Sequence, residues 1–165
     1  MRQNYNDNQK EFAETVVQIN RISKKTKGGN QMRFAALVVV GDRKGRVGAG
    51  LAKAKDVRGA IQKAIASAKR KLVEVTLKGT TIPYEVSHKY GAAKILMKPA
   101  PEGSGIIAGG PIRIVLEAAG VRNASAKILG TKNKITNVYA TIQALEKVSY
   151  MKARKTKEVK ESEQK

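Results

Sequence analysis

The sequence predicts an α+β protein made of two consecutive units, and three observations predict it. Strand-like apolar patterns fill three successive segments up to Leu51. From Val57 to Leu72 the apolar residues recur at helical spacing instead. Beyond a Lys78-Gly79-Thr80-Thr81 connector, strand-like and helical patterns appear a second time, with no internal repeat between the halves. The expected division is a flexible polar arm over 1–13, a first unit over 14–77, a second over 78–149 and a charged flexible tail over 150–165.

In the first unit, Thr15 to Ser23 alternates, with Val17 and Ile19 on one face and Gln18 and Asn20 on the other, as in a half-buried strand. Lys24-Lys25-Thr26-Lys27-Gly28-Gly29-Asn30 follows as a turn with lysines at its tip. Phe34 to Val40 is a valine-rich run suited to a central strand. A basic turn, Gly41-Asp42-Arg43-Lys44-Gly45, leads into a third strand from Arg46 to Leu51, with Val47, Ala49 and Leu51 on one face. Asp56 is placed to cap a helix in which Val57, Ile61, Ala64, Ile65, Ala68 and Leu72 share a stripe. Its alanines allow close approach to a sheet.

In the second unit, Pro83 to Val86, Lys94 to Pro99 and Val121 to Leu129 are expected strands. The segment Gly103 to Gly110 runs into a helix opened by Pro111 and stopped by Gly120. Ile135, Val138, Ile142, Leu145 and Val148 define a last helix. From Tyr150 onward the chain is charged and nearly free of large apolar residues.

Charge narrows the function. The 165 residues carry a formal net charge of +20, with a pI of about 10.3. A compact state repels itself at that charge unless a polyanion sits against it, and RNA or DNA gains from counterion release on binding. A membrane surface calls for an amphipathic helix rich in large apolar residues, whereas aromatics are only 4% here. With 41% hydrophobic residues the chain can build a core. The absence of cysteine excludes disulfides, thiolate metal sites and a cysteine nucleophile. No apolar run is long enough to span a bilayer, and Met1 to Glu14 has neither a secretory nor a transit pattern, so a bacterial-type cytoplasm is the expected compartment.

The candidate RNA contacts are basic residues beside glycines, where point charges and a close backbone both reach phosphate. They are Lys24, Lys25 and Lys27 with Gly28 and Gly29, flanked by Arg21, Ser23 and Arg33. Arg43, Lys44 and Arg46 form a second group, in a hairpin whose Gly45, Gly48 and Gly50 are expected to bring backbone toward phosphate; Lys53 and Lys55 extend it. Arg122 and Lys132 are the candidates of the second unit. The Gly45–Gly48 pair has strands around it rather than the helices of a KH loop, and Lys53 occupies the third glycine position of a dinucleotide motif. Gly103 to Gly110 lacks the Gly-Lys-Ser/Thr ending of a P-loop, and Glu102 and Glu117 make no recognisable magnesium site, so a small-molecule kinase is the remote rival and a structural turn into a helix the preferred reading. His88 is the single histidine, aspartates are limited to Asp7, Asp42 and Asp56, and no acid–base constellation emerges. No enzyme, cofactor or metal is expected. Few aromatics also means no stacking platform, which favours recognition of structured RNA by shape and phosphate.

Several of these segments together resemble the small-subunit ribosomal protein five family. They are Val17-Gln18-Ile19-Asn20-Arg21-Ile22-Ser23-Lys24, Lys27-Gly28-Gly29, Phe34 to Asp42, Gly45-Arg46-Val47-Gly48, Lys53-Ala54 and Ala60 to Ala64. Glu102 to Gly110 and Glu117-Ala118-Ala119-Gly120-Val121 continue the resemblance, which covers roughly Glu14 to Val148 in order. It implies an N-terminal domain like a double-stranded-RNA-binding fold, three antiparallel strands with a helix, and a C-terminal α+β two-layer sandwich. It also implies a structural role in the small ribosomal subunit, in assembly and in translational accuracy. The implied partners are small-subunit ribosomal RNA, small-subunit proteins four and eight, and messenger RNA where it enters the subunit, with no membrane and no small-molecule substrate. Ser23 to Gly29 matches the family loop near the head–body hinge. Gly105 and Arg113 match positions linked to decoding accuracy through protein four. Asn30 stands where the family usually has a basic or glutamine residue, with Arg33 three residues on.

Overall fold

The structure, a computed structural model, describes residues 12–163. The expected arm lies outside the described residues except for Phe12 and Ala13, which are half-buried. Four antiparallel strands form the first sheet in the order β1 (Ala13–Thr26), β2 (Gly29–Gly41), β3 (Arg46–Ala54), β4 (Val73–Glu74). The fourth strand is an addition to the three expected. The chain leaving helix α1 (Val57–Lys69) passes the free edge of β3, where Val73 and Glu74 pair with Val47 and Arg46. Two residues are too short to show a periodicity.

Register explains why β2 is apolar on both faces. Ala36, Val38 and Val40 alternate with Leu37 and Val39, and all five are buried. The first set packs in one cluster with Ala60, Ala64 and Ala68 of α1. Leu37 and Val39, with Val47 and Ala49 of β3, join a larger cluster that includes the core of the second unit. The sheet is thus sandwiched between α1 and the second unit. Glycine makes the α1 side close. A Cβ on Gly50 would overlap the Ala64 carbonyl oxygen, and one on Gly48 would stand 2.6 Å from that of Ala68. Asp56 caps α1 through its side chain, which accepts from the Gly59 N–H at 2.7 Å.

The second sheet runs in the order β5 (Val86–Tyr90), β6 (Ala93–Pro99), β8 (Ala124–Ile128), β7 (Ile106–Ile107), with only β7 and β8 parallel. Helices α2 (Gly110–Ala119) and α3 (Lys134–Glu163) complete the two-layer arrangement. Val86, Ile95, Met97 and Ala124 lie in one cluster with Ile112, Leu116, Val138 and Leu145. The α+β architecture is as expected.

Three local expectations change. The strand expected at Pro83 to Val86 lies at Val86–Tyr90, because its partner β6 joins it through the Gly91-Ala92 turn and leaves Pro83 outside the ladder. Pro83 has no N–H to give. The glycines of the β2–β3 hairpin do not present backbone to solvent. Gly45, Gly48 and Gly50 are buried, the Gly45 N–H donates to the Ala119 carbonyl at 3.0 Å, and the other two lie under α1. Finally, α3 runs through Tyr150 to Glu163, where a flexible tail was expected. Residues 150–163 contain neither Gly nor Pro and are rich in Lys, Glu and Arg, all good helix formers, so nothing stops the helix.

Candidate nucleic-acid interface

The β1–β2 hairpin extends beyond the sheet as a ribbon exposed on both faces. Every residue from Ser23 to Arg33 is exposed, and the turn is a two-residue connection, Lys27-Gly28, closed by the Thr26–Gly29 pair. The Thr26 hydroxyl donates to the Gly29 carbonyl at 2.8 Å. Alternation then divides the predicted residues. Arg21 and Lys25 occupy the α1 side of the ribbon, while Lys24 lies opposite Gln31 on the other side and Arg33 opposite Ile22.

That other side becomes an open groove of 370 Å³ lined by Ile22, Ser23, Lys24, Gln31, Arg33 and Lys53. Lys53 arrives from β3, opposite Ala35 and so next along the face from Arg33. Three strands therefore place three cations around one concavity. The second unit covers this face lower down, at Leu37 and Val39, and leaves the upper end exposed. Lys55 is exposed at the β3–α1 corner, beside the Asp56 cap.

Arg43, Lys44 and Arg46 sit at the opposite end of β2, about 40 Å from the hairpin tip for a 13-residue strand. The Arg43 N–H donates to the Ala118 carbonyl at the end of α2, so this loop joins the two units. Arg43, Glu117, Gly120 and Arg122 line one crevice there. Arg46 is engaged within the fold. Its Nε donates to Asp42 Oδ2 at 2.7 Å and its guanidinium lies 5.3 Å from the Phe12 ring centroid. The Asp42 carboxylate also accepts from the N–H groups of Lys44 and Arg46. Burial by itself raises the pKa of Asp42, but these donors and the nearby positive charge outweigh it and hold the group below its usual value.

The remaining expected residues are spread over the second unit. Gly105 leaves open space around it, while its N–H donates to Asn123 Oδ1 at 3.0 Å. Arg113 is exposed on α2, with Nε donating to Glu117 Oε1 at 2.8 Å. Lys132 is exposed in the β8–α3 loop.

Two family models cover most of the chain. Ribosomal protein S5, N-terminal domain, matches residues 12–76, and Ribosomal protein S5, C-terminal domain, matches residues 88–159. The chain belongs to the ribosomal protein S5 family. It is accordingly a structural, non-enzymatic protein of the small ribosomal subunit, associated with the ribosome and its RNA. The two matched segments correspond to the two sheets, one on each side of the connector that carries Lys78 and Gly79.

Sequence reasoning passed over one basic surface. Lys89, Lys94, Lys98 and Lys127 are exposed on the face of the second sheet turned away from α2 and α3. The signal was present as the alternation Lys94-Ile95-Leu96-Met97-Lys98, in which the buried residues Ile95 and Met97 leave the lysines outside. Among the described residues, no group of His, Cys, Asp and Glu is arranged to hold a metal. His88 Nε2 lies 3.1 Å from Gln143 Oε1, on the helix side of β5.

Proposed function

We propose that this S5-family chain holds small-subunit ribosomal RNA through the β1–β2 ribbon and the groove beneath it. The observation that carries this reading is the convergence of Lys24, Arg33 and Lys53, from three different strands, on one solvent-facing concavity. None of the three has an ion-pair partner among the described residues. A rigid sheet fixes their spacing, and lysine and arginine there neutralise phosphates while the aromatic-poor surface leaves bases unread. Arg21, Lys25, Lys27 and Lys55 add contacts around the ribbon. Arg43, Lys44 and Arg122 act at the joint between the units.

The finer family roles follow as part of the same proposal. The chain supports subunit assembly and translational accuracy in the cytoplasm and borders the region where messenger RNA enters. Gly105 and Arg113 face small-subunit protein four, and protein eight is a further neighbour. Units 14–77 and 78–149 are taken as the working domains. Binding to isolated small-subunit RNA tests the central claim. With ~6–10 phosphate contacts, affinity falls ~10³–10⁵-fold between 50 and 200 mM salt. A flat salt response overturns the reading, as does a chain that sediments apart from small subunits in a lysate.

A further inference from the structure

The outer face of the second sheet combines strong charge with an arrangement that stability alone does not favour. Lys89 on β5 stands directly opposite Lys94 on β6, and like charges in opposite positions destabilise a sheet. Lys127 on β8 follows on the same face, opposite Leu96. No acidic residue occurs anywhere in β5, β6 or β8. Among the described residues, the one ion pair at this face is at its far end, where Lys98 Nζ is 3.4 Å from Glu85 Oε1. Lys89, Lys94 and Lys127 have no ion-pair partner among the described residues.

We propose that this face binds a second double-stranded RNA segment, with Lys89, Lys94 and Lys127 on its phosphates. The proposal rests on the reading of the chain as an RNA-holding protein and adds a site that reading does not contain. Charge complementarity selects a polyanion. The side chains select a duplex over a single strand, since Ser87, Leu96 and Ser125 accompany the lysines and none of the β5, β6 and β8 residues on this face is an aromatic that could stack on a base. Tyr90 is on the opposite face, 6.0 Å from Tyr139 of α3 between ring centroids. The face measures about 23 Å along β6 and about 10 Å across three strands, enough to follow a phosphate backbone. The loop that carries Lys132 packs against the β5–β6 turn through Gly130 and extends the charge at that end.

The shared core fixes this face relative to the ribbon of the first sheet, so the chain should hold two duplexes at once. The test is the number of RNA duplexes of roughly 16 base pairs, the length a double-stranded-RNA-binding domain spans, bound per full-length chain in sedimentation. The expected result is two for the wild type, and one for the variant Lys89→Gln/Lys94→Gln/Lys127→Gln, with the folded state unchanged by circular dichroism. The variant Lys24→Gln/Arg33→Gln/Lys53→Gln should also keep one. A Lys89/Lys94/Lys127 variant with undiminished stoichiometry and salt dependence overturns the proposal while leaving the groove reading standing. Binding indifferent to the Lys24/Arg33/Lys53 changes fails the groove reading instead. If the Lys89/Lys94/Lys127 variant keeps both duplexes but drops out of reconstituted small subunits, the face belongs to an acidic protein and the proposal is overturned.

Discussion

Gly120 closes α2 at φ 90° directly against Arg43, so that a Cβ added to Gly120 would overlap the Arg43 carbonyl oxygen. This contact joins the β2–β3 loop of the first unit to α2 of the second at the backbone level, supported by the Arg43 and Gly45 N–H groups donating to the Ala118 and Ala119 carbonyls. Glycine is needed there twice over, for the left-handed conformation and for the missing side chain. Gly120→Ala should therefore lower stability by about 2–4 kcal/mol, combining backbone strain with overpacking. Urea denaturation reads this as a lower midpoint at an unchanged slope, and a midpoint within error of wild type refutes it.

Leu37 is buried in the cluster that spans both units, although it belongs to the first sheet. Leu37→Ala should cost about 2–5 kcal/mol. Because the cluster is shared, the loss should appear in both units together. Hydrogen exchange checks this, with amides of β2 and of β6 losing protection by the same factor. Loss confined to the first sheet counts against a common core.

At the groove, Lys24→Gln, Arg33→Gln and Lys53→Gln should each weaken RNA binding and reduce the steepness of log affinity against log salt by about 1. Folding should not change, because all three side chains are solvent-facing. Filter binding across a salt series measures the slope. Arg46→Gln should behave differently, lowering thermal stability as the contacts to Asp42 and Phe12 are lost.

Asp42 predicts an acid limb in stability. Its folded-state pKa lies below its ordinary value, so its bonds contribute fully above the unfolded pKa of about 3.9. That contribution is lost as pH falls through the depressed folded pKa. The melting temperature of the wild type should drop below about pH 4, and Asp42→Asn should show a smaller drop over the same window. Identical acid limbs in the two proteins refute the assignment.

Much of the fold was legible because periodicity reports burial directly. Strands β2 and β3, the Asp56 cap, the α1 stripe as far as Ala68 and the Pro111 and Gly120 limits of α2 follow from local pattern, whereas a bulge between Val16 and Gln18 breaks the expected alternation of β1 and leaves Ile19 exposed. The β5 boundary did not, since Ser87 to Tyr90 carries one small, one aromatic and two basic or titratable residues and shows strand character only when paired with β6. The glycines of the β2–β3 hairpin were misread for a related reason. A sequence shows that a position has no side chain, but whether the vacant space faces a phosphate or a helix backbone depends on what packs above it.

By itself, the sequence determined that this is a basic, two-unit α+β protein whose cations cluster at the Lys24–Gly29 hairpin. Those properties are local: alternation, helical spacing and charge need no knowledge of distant neighbours. Only the tertiary structure decided which cations lie together. It assembled Lys24, Arg33 and Lys53 across three strands, separated them from Arg43 and Lys44 by the length of β2, and turned Lys89, Lys94 and Lys127 onto one bare sheet face. Strand pairing sets those distances, and pairing is a relation between segments that the linear order of residues does not express.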